Sequence, residues 1–172
     1  MNVPPLPNGK HFPWYALCVR SKYEKRVADA LSSKGYDCLL PIYREKRKWS
    51  DRTKILELPL FPGYVFSRFD VEVRLPILTT PGVLTVAGIG KIPQPLDANE
   101  VEQIRKVTAV GAPAQPWPFL KIGQRVRVTA GPLTGVQGLL MQRRGETKVV
   151  LSVSLLEKSI AVQVESDSIR LL

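Results

Sequence analysis

Residues 58–66 read Leu-Pro-Leu-Phe-Pro-Gly-Tyr-Val-Phe, an aromatic and aliphatic stretch broken by residues that interrupt a strand ladder. If every side chain here faced a core, Pro59, Pro62 and Gly63 would be poor choices. A rigid Pro62-Gly63 turn instead aims Phe61 and Tyr64 toward a common edge. Val65 and Phe66 then enter a strand and close the core. Part of this apolar surface is therefore expected to await a partner.

Upstream, Trp14–Val19 (WYALCV) is a short run with apolar or aromatic residues on both faces, as in a central, doubly covered strand. Ser21 followed by Glu24 has the spacing of a capping box. Tyr23, Val27, Ala30 and Leu31 recur at helical spacing until Gly35 supplies a stop. Residues 36–43, 54–58 and 63–69 read as extended. Between the first two lies Arg44–Lys54, with six basic residues, Trp49, and a Ser50-Asp51 turn signal. This predicts a basic hairpin tip. Two readings fit Arg44, Lys46, Arg47, Lys48, Trp49 and Arg52: a solvated loop, or a nucleic-acid contact in which the indole stacks while the cations meet phosphates.

Downstream, residues 70–80 predict a helix in which Pro76 fits only a first turn. Pro81-Gly82 marks a turn and residues 83–89 a strand. Asp97 with Glu100 repeats the capping pattern ahead of a helix bearing Val101, Ile104 and Val107 on one face. The order of elements predicts an α+β fold, an antiparallel sheet flanked by helices. Residues 111–120 carry three prolines and read as a semi-rigid linker. Segments 125–129, 138–142, 148–153, 160–164 and 168–171 then predict a small five-stranded β-barrel. The expected organisation is a leader (1–13), an α+β domain (14–110), a linker (111–120) and a barrel (121–172).

The 172 residues carry a net charge of +10, which favours polyanions or acidic partners. The surplus is shared, with 17 Lys and Arg against 11 Asp and Glu before residue 111, and 8 against 4 after it. No apolar run approaches the about 18 residues of a membrane helix, so a cytoplasmic protein without a membrane contact is expected. Cys18 and Cys38, both in predicted strands, are expected as buried free thiols. The one histidine, His11, lies in the leader. No nucleophile signature accompanies it, so neither catalysis, metal nor cofactor is expected.

Trp14-Tyr15, Phe61-Pro62-Gly63-Tyr64-Val65 and Thr80-Pro81-Gly82-Val83, in this order, resemble the N-terminal domain of the NusG family of transcription elongation factors. Residues 126–138, VRVTAGPLTGVQG, resemble the KOW motif that opens the family's C-terminal, SH3-like barrel. Read physically, Gly131, Gly135 and Gly138, with Pro132 among them, suit tight corners and close chain approach. They do not form a phosphate loop, because no Lys followed by Ser or Thr comes after Gly138.

The resemblance implies a non-catalytic, monomeric factor whose first domain receives the clamp helices of the largest catalytic subunit of RNA polymerase. Phe61 and Tyr64 match the contacting positions, and Trp14 and Tyr15 the strand beside them. Such a factor suppresses pausing and regulates termination or antitermination, while its KOW domain recruits Rho or a ribosomal protein. Thr79 and Thr80 align with positions near the non-template DNA strand, although capping and turn formation account for them too. Two alternatives stand beside this reading: an operon-specific antiterminator of RfaH-like or UpxY-like type, and a ribosome-associated KOW protein that binds RNA.

Overall fold

The computed structural model describes residues 12–172, so His11 lies outside the described residues. In chain order the elements begin with β1 (Trp14–Val19), α1 (Glu24–Ser33), β2 (Asp37–Leu39), β3 (Ile42–Trp49), β4 (Arg52–Pro59) and β5 (Tyr64–Arg68). Next come α2 (Leu75–Leu78), β6 (Val83–Val86), β7 (Gly88–Ile89), β8 (Ile92–Pro93) and α3 (Ala98–Val110). The remainder is β9 (Ala114–Trp117), β10 (Arg125–Val128), β11 (Gln137–Arg143), β12 (Glu146–Val153), β13 (Lys158–Val164) and β14 (Ile169–Leu171). This is an α+β protein of two compact units. One comprises residues through Leu40 with Phe61–Ala98, the other Pro41–Leu60 with Asn99–Leu172.

In the first unit an antiparallel sheet runs in the order β2-β5-β1-β6. The apolar β1 takes an interior position, as its composition predicts. Tyr15, Leu17 and Val19 pack with Val27, Ala28 and Leu31 of α1, and Val65, Phe69, Ile77 and Val86 complete this core. The Tyr15 and Phe69 rings lie 5.0 Å apart. Each such buried side chain contributes about 1.5–3 kcal/mol relative to leaving it in water. The expected helix over 70–80 is reduced to a 3-10 turn at Val71–Val73 and the four residues of α2, with Pro76 in its first turn. The extended segment expected over 36–43 is split into β2 and β3 by Leu40-Pro41, since proline offers no N–H to a ladder.

Helix α1 ends as predicted. Gly35 takes φ +89°, and the Tyr36 N–H reaches back to the Leu31 carbonyl at 3.1 Å. Its start differs. The Ser21–Glu24 capping box does not form: Tyr23 is the N-cap and makes no side-chain bond. Glu24 is buried, and its Oε1 accepts from the Gly63 N–H at 3.0 Å. Water can serve the free N–H groups of a helix whose first turn includes exposed Lys25 and Arg26. A part-buried turn amide has no such alternative, so the carboxylate serves Gly63 instead.

In the second unit β3 and β4 form a two-stranded hairpin, and β14-β10-β11-β12-β13-β9 form a six-stranded antiparallel sheet. All five strands expected after residue 121 are present. The sixth, β9, arises from the segment whose prolines predicted a linker. Trp117 pairs with Ser159 and Ala114 with Val162. Leu120 is also pinned, its N–H donating to Ser159 Oγ at 3.1 Å and its carbonyl accepting from Ser152 Oγ at 3.0 Å. An edge strand tolerates Pro116 where an inner one would not, which is why composition alone hides β9. Gly138 is required by proximity, because a Cβ there would lie 2.5 Å from the Val150 carbonyl oxygen. Val101, Ile104 and Val107 of α3 are buried as expected. Glu100, expected to complete a cap with Asp97, accepts from the Ser154 N–H at 3.2 Å and from its hydroxyl.

Replacing Glu24 by Ala leaves the Gly63 N–H without its acceptor. The expected cost is about 1.5–3 kcal/mol, the range for hydrogen bonds to charged groups. Urea unfolding of the two proteins measures it.

Candidate protein and nucleic-acid interfaces

The Phe61–Tyr64 segment folds as its residue types dictate. Pro62 and Gly63 occupy the corners, Gly63 takes φ +84°, and the Tyr64 N–H bonds the Phe61 carbonyl at 3.1 Å, the pattern of a type II turn. Gly63 fixes the turn in space through two further contacts. Its N–H meets Glu24, and its carbonyl accepts from the Val19 N–H at 2.8 Å.

The register of β1 against β5 sorts the four aromatic candidates. Trp14 stands opposite Arg68, Ala16 opposite Phe66 and Cys18 opposite Tyr64, so Trp14, Phe66 and Tyr64 share one sheet face. Tyr15 stands on the other, inside the core formed with α1. Phe61 is only 2% exposed and meets Phe66 edge-on at 5.3 Å. Trp14 is buried beneath the Arg68 guanidinium, which lies 4.8 Å from its ring centroid. Tyr64 alone of the four is partly exposed. Partial burial pushes its phenol above the ordinary tyrosine range, with the neighbouring Cys18 adding to the effect.

The basic segment is not a loop with strands behind it; most of it is strand. β3 and β4 pair over eight positions, from Ile42 opposite Pro59 to Trp49 opposite Arg52. Alternation divides the cations. Arg47, Trp49, Arg52 and Lys54 share the tip of one face, while Arg44, Lys46 and Lys48 line the other with Thr53, Ile55 and Glu57. Trp49 and Ile55 are each 58% exposed. Arg44 pairs with Glu57 at 3.5 Å and Arg47 with Glu45 at 3.4 Å. These exposed ion pairs contribute little to stability. Lys54, counted among the six basic residues of the segment but not among its candidate contacts, stands on this surface opposite Arg47. Counting outward from the Ser50-Asp51 turn would have placed it opposite Arg47.

The two threonines diverge. Thr80 is 1% exposed, its Oγ1 donating to the Pro76 carbonyl and accepting from Lys34 Nζ, both at 2.9 Å. Its hydroxyl is thus committed to the fold. Thr79 is exposed, with Oγ1 donating to the Leu75 carbonyl at 2.9 Å. In the KOW stretch, Gly131 and Gly135 take φ +82° and +93° around Pro132, at the turn that returns Val136 to β10. Cys18 and Cys38 are free thiols of intermediate burial, and burial raises both above the ordinary thiol range. Among the described residues there is no group of side chains able to hold a metal, and no helix is long and apolar enough to cross a membrane.

A braced aromatic turn, a basic two-stranded ribbon and a six-stranded antiparallel sheet together define an α+β protein of two units. A family model described as transcription termination factor NusG matches residues 12–105. The transcription termination/antitermination protein NusG of Deinococcus radiodurans is 30% identical, covering 88% of this chain and 95% of the relative. The protein of that name from Thermus thermophilus is 28% identical, covering 81% and 89%. A solved structure described as domain interaction in Thermotoga maritima NusG shares the fold, with TM-score 0.52, 21% identity and coverage of 92% and 96%. The chain belongs to the NusG family and is a NusG-type transcription factor.

Replacing Thr80 by Val removes an acceptor for Lys34 inside the first unit and is expected to cost about 1–2 kcal/mol. Thr79→Val is expected to stay within about 0.5 kcal/mol. Chemical denaturation of both variants tests the assignment.

Proposed function

We propose that this protein is a non-catalytic transcription elongation factor that docks through its first unit on the clamp helices of RNA polymerase, suppresses pausing and regulates termination or antitermination. The observation that carries the reading is Tyr64, an aromatic ring held partly open on the sheet face it shares with Trp14 and Phe66. The turn beneath it is fixed by Pro62, by the positive φ of Gly63 and by Glu24. Its position is set before a partner arrives, so little ordering entropy is lost on docking. In this reading Tyr64 makes the contact, Phe61 anchors the turn by packing on Phe66, Trp14 lies farther along the same sheet face opposite Arg68, and Tyr15 acts from the opposite face by holding β1 in place.

The β3–β4 hairpin fits a nucleic-acid contact near the docked polymerase. Its cations outnumber its carboxylates, and Trp49 stands clear at the tip. Thr79 is the threonine exposed to a non-template strand: its Oγ1 donates to the Leu75 carbonyl and keeps its acceptor capacity toward solvent, whereas Thr80 is buried. The C-terminal sheet serves as the recruiting module for Rho or a ribosomal protein.

Tyr64→Ala removes one aromatic anchor worth about 1.5–3 kcal/mol, hence roughly 10- to 100-fold in affinity. Co-purification with core polymerase and a pausing assay on a defined template should both show the loss, with Tyr64→Phe close to the unaltered protein. Equal retention of polymerase by Tyr64→Ala would refute the docking face. Replacing Arg47 and Lys48 by Ala should flatten the salt dependence of binding to duplex scaffolds by up to about 0.9 per lost phosphate contact. An unchanged slope would remove the hairpin from the interface.

A further inference from the structure

Prolines fall at positions 113, 116 and 118, in the segment that leads into the C-terminal sheet. Strand register gives their spacing a meaning. The Gln163 N–H donates to the Pro113 carbonyl at 3.1 Å, so these two residues make a hydrogen-bonded pair of the β9–β13 ladder. In an antiparallel ladder such pairs alternate with pairs whose backbone groups turn away from the partner strand. Gln115 opposite Ala161 and Trp117 opposite Ser159 therefore bond inward, whereas Ala114 and Pro116 turn their backbone groups outward. Pro118 continues the outward set one residue past the strand. At Pro116 and Pro118 the outer side of β9 has no N–H to offer. Among the described residues no strand pairs with that side.

The strand beneath β9 gives this arrangement a purpose. Ser159–Val164 reads SIAVQV, without a charge or a proline, and Ser159, Ile160, Ala161 and Val162 are buried. An uncharged segment of such high β-propensity pairs with copies of itself when its edge lies open. β9 covers that edge and is fastened at both ends. The Pro113 carbonyl holds one end. At the other, Lys148 Nζ lies 4.8 Å from the Trp117 ring centroid, and Leu120 bonds Ser159 Oγ through its N–H and Ser152 Oγ through its carbonyl. Ser152 and Ser159 stand opposite each other on β12 and β13, with their hydroxyls 2.6 Å apart. The far edge of the sheet needs no such cover, because β14 has only three residues and includes Arg170.

We propose that β9 is an edge guard, a strand supplied in cis to β13 whose outward prolines stop the sheet from adding a strand of a second copy of this chain. The contact it prevents is edge-to-edge pairing between two C-terminal sheets. The guard acts without polymerase or nucleic acid and does not rest on the docking reading.

The test uses the full chain, with sedimentation equilibrium over a concentration series and amide hydrogen exchange. The unaltered protein should stay monomeric. Pro116→Val with Pro118→Val restores two outward N–H groups on β-branched residues, and a concentration-dependent dimer of twice the mass is expected, with slow exchange at positions 116 and 118. Pro116→Lys with Pro118→Lys restores the same N–H groups but sets charges on the edge, and this variant should remain monomeric. Ser152→Ala with Trp117→Leu loosens β9, so exchange of the Ser159, Ala161 and Gln163 amides should quicken by about tenfold, with self-association following. A valine variant that stays monomeric overturns the proposal whether β9 holds or detaches, because either the restored outer edge or the bare β13 edge would then be open. Equal association of the valine and lysine variants also overturns it, since that would report lost folding rather than strand pairing.

Discussion

The first unit depends on satisfying one amide. Gly63 must take a positive φ to let the chain turn after Pro62, and that conformation leaves its N–H directed into a part-buried site where no strand can reach it. Glu24 answers it from α1, and the Gly63 carbonyl in turn holds the end of β1 at Val19. A helix, a central strand and the β4–β5 connection are thus tied together through a single residue. The carboxylate is withdrawn from its own helix start to do so. The difference in cost explains the choice: an exposed helix terminus is hydrated, a buried donor is not.

This tie holds the aromatic turn in place. Tyr64 stands partly open, whereas Phe61 is wedged on Phe66, Trp14 lies under Arg68, and Tyr15 fills the opposite core. The turn is a shaped surface held by hydrogen bonds from both sides. The hairpin follows a different logic. Its residues are exposed on both faces near the tip, its ion pairs are solvent-screened, and its paired strands carry cations and an indole on one ribbon. In the C-terminal sheet, β9 brings Trp117 to a cleft it shares with Met141 and Lys148.

Much of this was legible in the sequence. Runs of apolar residues of strand length marked β1 and all five strands after residue 121, and Gly35 marked the end of α1. Pro76 foretold the short first turn of α2. The motifs around Phe61 and Gly131 carried the family. Less legible were the features set by pairing across distance. Ser21 and Glu24 had the spacing of a capping box, yet the carboxylate left for an amide 39 residues away. The proline-rich segment looked like a linker, yet four of its residues add a strand. The basic segment read as a hairpin tip, and pairing over eight positions extends it into a two-faced ribbon whose register divides the cations between its faces.

By itself, then, the sequence determined the α+β class, the placement of most elements and the family, because periodicity, turn chemistry and motif spacing are local properties of the chain. Tertiary structure alone decided which aromatic ring stays open, which threonine hydroxyl is spent on Lys34, and that Trp117 meets the Lys148 ammonium. The physical reason is that exposure and hydrogen-bond satisfaction are settled by whatever packs across the sheet. Two adjacent residues such as Trp14 and Tyr15 look alike in sequence and end on opposite faces.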